Sequence, residues 1–139
     1  MIAGEGEERN KIESIIRELY LEHDVVLLGR RDDIPELMVK ADIFVLPSAY
    51  EGFGLVVAEA MACQTYVVAT DCGGVKEVMG DTGILVQPKN SLDLAQALMR
   101  AINLSDVEVI QNNMQAVMHV SKNFDLKIIV TKWLEIYAK

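Results

Sequence analysis

Glu51 and Glu59, with seven residues between them, flank two glycines in the run Pro47-Ser48-Ala49-Tyr50-Glu51-Gly52-Phe53-Gly54-Leu55-Val56-Val57-Ala58-Glu59-Ala60-Met61-Ala62. A glycine-containing turn that opens a helix aims unpaired backbone N–H groups outward. The helix dipole adds positive potential there, so the place suits phosphate. Carboxylates beside such a turn offer hydrogen-bond acceptors to the rest of a phosphorylated ligand. Eight positions turn a helix roughly 80° away from facing the same way, but Glu51 precedes the helix and is free to bend back. Both carboxylates can therefore reach a ligand lying across the helix start. Two glycines alone do not establish this, because many Gly-x-Gly turns only reverse the chain.

The elements that must position this run are legible on both sides. Residues 42–46 (Asp-Ile-Phe-Val-Leu) read as a buried strand that Pro47 stops, and residues 55–63 as a helix with Leu55, Val56, Ala60 and Cys63 on a shared face. Upstream, residues 1–4 look like the tail of a strand and Gly4-Glu5-Gly6 like a turn. Residues 7–21 form a helix with Ile12, Ile15, Ile16 and Leu19 as its buried stripe and Glu7 and Glu8 in its first turn. Residues 24–28 make a strand ended by Gly29; Asp32 or Asp33 caps a short helix through Lys40, with Pro35 in its first turn.

Downstream, residues 65–70 are a buried strand, Cys72-Gly73-Gly74 a turn, residues 75–79 a short helix and residues 83–86 the last strand. Ser91 then caps a helix to about Asn103, Ser105 opens a second, and Asn123 or Asp125 begins a third. Phe124, Ile128, Ile129, Trp133 and Tyr137 give this third helix a packing face. Short connections and strands apolar on both faces predict an α/β fold. It is a Rossmann-like parallel sheet with helices on both faces, followed by C-terminal helices. No linker, repeat or domain boundary is visible.

Composition narrows the function. A chain of 139 residues, 51% hydrophobic and 24% charged, is one ordinary globular domain with a real core. Its net charge of −8 argues against a nucleic-acid partner or an anionic membrane surface, although a nucleotide can still be held by amides and one or two cations. No apolar run approaches the ~20 residues of a membrane span. Cys63 and Cys72 read as reduced thiols of a cytoplasmic protein, and His23 and His119 have no companions at metal-ligand spacing.

The whole run from Pro47 to Ala62 resembles the donor-site signature of the family 4 retaining glycosyltransferases, whose GT-B architecture sets two Rossmann-like domains face to face. The same order of parts surrounds it here: Gly4-Glu5-Gly6, Leu27-Leu28-Gly29, Thr70-Asp71-Cys72-Gly73-Gly74 and Thr82-Gly83-Ile84-Leu85-Val86. The resemblance covers about residues 1–90 with specific motifs and the helical tail loosely. It implies the C-terminal, donor-binding half of a GT-B fold. It also implies that the chain starts late. In the family an earlier strand, with a loop carrying an Arg and a Lys for the donor diphosphate, opens this domain. In a sheet of order 3-2-1-4-5-6 that strand is central, and leaving its neighbours unpaired costs roughly 1 kcal/mol or more per buried group. The expectation is a fragment of a longer protein that also carries the acceptor domain, rather than a sheet that re-pairs to close the gap. Two departures concern stability: Gln64 stands where the family has a helix-ending Gly, and Tyr66 where Pro is common.

By the same resemblance Glu51 is the catalytic-site carboxylate that orients the donor sugar and stabilises an electron-poor anomeric carbon. Gly52, Phe53, Gly54 and Leu55 bind the donor substrate, with the N–H groups around Gly54 and Leu55 at its diphosphate, and Glu59 accepts from the ribose hydroxyls. Gly29, Arg30 and Arg31 lie against the nucleobase, and Gly73, Gly74 and Glu77 form the next loop. No metal or other cofactor is called for; the donor substrate is a nucleoside-diphosphate sugar. The implied activity is retaining glycosyl transfer to a glycan or lipid-linked acceptor, with polysaccharide assembly as the setting and this chain inactive alone. The acceptor domain is supplied in cis or trans, with peripheral membrane association through the full-length protein. The alternative is a non-catalytic sugar-nucleotide binding module that docks on a separate acceptor domain. A sugar-nucleotide epimerase of the same architecture fits the Glu51/Glu59 spacing less well.

Overall fold

Parallel pairing organises both sheets of the computed structural model, which describes residues 1–138. The chain divides into two compact units, Met1–Ile34 and Pro35–Lys139, where the sequence shows no boundary. The division follows the sheets, which share no ladder.

The first unit holds β1 (Ile2–Ala3), α1 (Arg9–Glu18) and β2 (Leu27–Gly29). β1 and β2 pair in parallel, with Ile2 opposite Leu27 and Ala3 opposite Gly29. α1 is shorter than its periodicity predicts: Glu8 is its N-cap, and no acidic residue stands in its first turn. Of the expected stripe only Ile16 is buried, while Ile15 and Leu19 are exposed. A ladder of two short strands is too small to cover four large side chains.

The second unit begins within α2 (Ile34–Lys40) and continues through β3 (Ile43–Leu46), α3 (Leu55–Ala62), β4 (Tyr66–Thr70), α4 (Val75–Met79) and β5 (Ile84–Val86). Three helices follow, α5 (Ser91–Ile102), α6 (Asp106–Phe124) and α7 (Leu126–Tyr137). Its sheet has the order β3-β4-β5, all parallel, with Val45 opposite Val68 and Val68 opposite Ile84. β4 is central and buried at every position, as a β-branched run between two neighbours should be. Tyr66 and Val68 meet Ala97 and Ala101 of α5 on one face. Val67 and Ala69 alternate to the other face, and α3 and α6 also contact β4. Each fully buried valine contributes about 1.5–3 kcal/mol relative to leaving it exposed. Helices on both faces of a parallel sheet are therefore what the chain builds. The strands group as β1-β2 in the first unit and β3-β4-β5 in the second.

Several local expectations change. β3 is half-buried rather than buried, because it is a sheet edge. α3 is apolar almost all round and buries Val57, Ala58, Ala60 and Met61, whereas Leu55 is exposed. The i, i+3, i+4 set starting at Val57 thus faces the core, not the set starting at Leu55. Asn90, not Ser91, caps α5: its side chain accepts from the Asp93 N–H at 3.1 Å. Ser105 and Glu108 form a reciprocal capping box at the start of α6, and Asp125 caps α7. Phe124 closes α6 instead of belonging to α7. α7 packs on α6, but Trp133 and Tyr137 stay exposed, stacked on each other at 5.9 Å. Gln64 has φ +60, the left-handed helix ending at which a glycine is favoured by about 1 kcal/mol. Among the described residues no helix is long and apolar enough to cross a membrane.

Candidate functional site

The loops that leave the C-terminal ends of β3 and β4 are locked into one another. After Leu46 the chain turns at Pro47, and the Ser48 carbonyl accepts from Thr70 Oγ1 at 2.6 Å and from Cys72 Sγ at 3.4 Å. The Thr70 hydroxyl lies 3.3 Å from the Leu46 carbonyl as well, so the end of β4 fixes the exit of β3. Beyond it the Gly74 N–H donates to the Gly52 carbonyl at 3.0 Å. Gly73 comes so close that a Cβ there would lie 2.0 Å from the Glu51 carbonyl oxygen. A Cβ on Gly74 would sit 3.0 Å from the Phe53 ring. Gly73 and Gly74 thus join the central motif, while the exposed Glu77 side chain stands in the first turn of α4.

Within the motif, Ser48 Oγ donates to Glu51 Oε1 at 2.8 Å and fixes that half-buried carboxylate at the loop's edge. Gly54 is the N-cap of α3 in the left-handed conformation, φ +82, and a Cβ on it would press Val75 at 2.9 Å. No other residue type meets both conditions without strain. The turn leaves the N–H groups of Gly54, Leu55 and Val56 without acceptors among the described residues, at the positive end of the helix. Glu59 stands in the second turn of α3, exposed and with no partner among the described residues. Three open amides, a positioned carboxylate and a free one therefore share one helix start. That arrangement can take a phosphate on the amides and accept from hydroxyls on either side.

The remaining predicted residues lie in the first unit. Gly29 is buried with φ +66, and its carbonyl accepts from the Gly4 N–H at 2.8 Å. Arg30 is exposed, and Arg31 is engaged in a two-pronged pair with Asp33, with Nε 2.7 Å from Oδ1. That pairing leaves Arg31 less available to a ligand than a free guanidinium.

Three residues of the site, Ser48, Thr70 and Lys89, were not singled out from the sequence, and Phe124 was read there only as part of a packing face. Ser48 and Thr70 act through bonds that span loop and strand. Lys89, at φ +60, brings a cation to the motif's edge: its Nζ is 2.8 Å from the Tyr50 hydroxyl and 4.7 Å from that ring's centroid. Phe124 packs edge-on against Phe53 at 5.5 Å. Only Ser48, three residues before Glu51, had a local signal, since a hydroxyl at that spacing readily bonds a carboxylate.

A glycine-containing loop at the strand ends of a parallel α/β sheet is where Rossmann-type folds place their ligands. The model of the family described as "Glycosyl transferases group 1" matches residues 1–104, and the chain belongs to that family, with the fold of its GT-B members. It is 35% identical to N-acetyl-alpha-D-glucosaminyl L-malate synthase of Bacillus anthracis, over 99% of this chain and 36% of that protein. A Campylobacter jejuni N,N'-diacetylbacillosaminyl-diphospho-undecaprenol alpha-1,3-N-acetylgalactosaminyltransferase is 36% identical over 81% of this chain and 30% of its own length. Among solved structures, Anabaena HepE in complex with UDP-glucose superposes with a TM-score of 0.84 at 32% identity, over 98% of this chain and 39% of that one. The chain spans about a third of the length of these two curated relatives.

Proposed function

We propose that this chain is the donor-binding domain of a retaining glycosyltransferase that uses a nucleoside-diphosphate sugar. The observation that carries the reading is the start of α3, where Gly54 opens three unpaired amides between Glu51 and Glu59. The complexes of HepE with UDP-glucose and with UDP support a uridine diphosphate donor. In this reading the amides of Gly54, Leu55 and Val56 hold the diphosphate, and Glu59 accepts from both ribose hydroxyls. As the bond from the anomeric carbon to the diphosphate oxygen breaks, negative charge grows on the leaving group. The oriented N–H dipoles stabilise it without reorganising, so no metal is needed. Glu51, held by Ser48, orients the sugar and stabilises the electron-poor anomeric carbon while the acceptor hydroxyl oxygen bonds to the face the diphosphate leaves and its proton passes to that departing diphosphate.

The acceptor, a glycan or a lipid-linked sugar, binds residues outside this chain, supplied in cis or trans. The chain alone is accordingly inactive in transfer. The setting is cytoplasmic, with peripheral membrane contact through the longer protein.

Calorimetric titration of the chain with UDP, GDP and ADP, beside Glu59→Ala, tests the reading. The expected result is binding of UDP in the high-micromolar to millimolar range, about 4–6 kcal/mol. Glu59→Ala should weaken it roughly tenfold, about 1.4 kcal/mol, with an unchanged melting temperature because Glu59 is exposed and unpaired. A folded chain that binds none of the three, or binds UDP equally well without Glu59, contradicts it.

A further inference from the structure

We infer that Phe124, the last residue of α6, is a positioning residue for the donor loop, acting by holding the Phe53 ring. The assignment deepens the donor-site reading and rests on it for its functional consequence. Phe53 is the one side chain between two glycines, Gly52 and Gly54, so beside the bond that Gly52 accepts from the Gly74 N–H its ring is what side-chain packing can hold in this stretch. Its ring is the handle. On one side it meets the backbone of Gly74, where even a Cβ would lie 3.0 Å away. On another it receives Phe124 in an edge-to-face pair, centroids 5.5 Å apart and planes at 75°.

Phe124 is itself held. His119 packs against it edge-on at 5.8 Å. The His119 ring is anchored in turn: Nε2–H donates to the Glu77 carbonyl of α4 at 3.2 Å, and Asn123 Nδ2 donates to Nδ1 at 3.3 Å. That pair of bonds requires the tautomer protonated on Nε2. Gly80, with φ +58, leaves room for the ring, since a Cβ there would approach His119 Cε1 to 2.8 Å. A continuous path therefore runs from α4 through His119 and Phe124 to Phe53. Its effect is to keep the adjoining N–H groups of Gly54 and Leu55 aimed outward. Holding them before the ligand arrives removes the ordering cost from binding.

The test compares the chain with Phe124→Ala, Phe124→Tyr and, as a control, Val109→Ala. Val109 packs on the core cluster under α5 and is fifteen positions earlier on the same helix. Backbone ¹⁵N relaxation reads the free loop and calorimetry reads UDP affinity. Phe124→Ala should take the order parameters of Phe53 and Gly54 from a rigid value of about 0.85 to below about 0.6, and weaken UDP roughly tenfold. Phe124→Tyr should stay within about twofold on both readouts, because it keeps the edge-to-face ring. Val109→Ala should lower the melting temperature and move neither readout. If the alanine variant does not fold, Phe124→Leu, which keeps the bulk and loses the ring edge, takes its place. An unchanged loop in the Phe124 variants, or equal loosening by Val109→Ala, overturns the assignment. Absence of UDP binding in the unaltered chain counts against the donor reading alone, and relaxation still decides the role of Phe124.

Discussion

Gly73→Ala should remove nucleotide binding and lower the melting temperature by roughly 10 °C, a loss of about 3 kcal/mol. Two independent effects add at this position. The backbone has φ +56, where an L side chain costs roughly 1–2 kcal/mol. The added methyl would also lie 2.0 Å from the Glu51 carbonyl oxygen and 2.8 Å from that of Gly52. The obstacle is backbone on both counts, so no rotamer change relieves it. Either the loop after β4 or the Glu51–Leu55 loop has to move. The second movement carries Glu51 and the open amides away from their positions. Thermal unfolding followed by circular dichroism, with UDP calorimetry on the same samples, checks both parts. A Gly73→Ala variant that melts and binds like the parent would contradict the packing described between the two loops.

Gly52→Leu should do the opposite for stability and the same for binding. Nothing lies within 4 Å of a Cβ built on Gly52, and its φ is not among the positive ones. The fold itself therefore has no use for glycine there, and a side chain should leave the melting temperature unchanged or slightly raised. Glycine with open space around it, one residue from a positioned carboxylate, suits close approach of a ligand to the backbone. A leucine side chain would occupy that space, and UDP affinity should fall at least tenfold. Calorimetry beside a melting curve reads the contrast. Full UDP affinity in Gly52→Leu would place the ligand elsewhere.

The contrast between these two glycines also marks how far the sequence could be read. Both stood out by spacing, yet only the close approach of Glu51 to Gly73 distinguishes a packing need from a ligand need. The elements themselves were legible wherever a signal is local. The apolar run at β4, the short α4 and the Ser105 hydroxyl that opens α6 each depend on neighbours within a few residues.

What depends on distant partners was not. Thr70 bonds Ser48 across 22 positions, and Phe124 meets Phe53 through folding that no periodicity encodes. Burial was misjudged for the same reason. A hydrophobic stripe shows that a face is apolar, not how much of it the fold covers, as Ile15 and Leu19 on α1 and Trp133 and Tyr137 on α7 make plain. Glu59 alone is an exposed helix residue, and only its place after Glu51 and Gly54 makes it a candidate for the proposed donor site.

The most direct measurement of the central claim is an NMR titration of the ¹⁵N-labelled chain with UDP, following every backbone amide. The account predicts that the largest shifts fall on Gly54, Leu55 and Val56, the amides without acceptors, with smaller ones at Glu51, Gly52 and Glu59. Saturable shifts centred on any other part of the chain, with these amides unmoved, would contradict it.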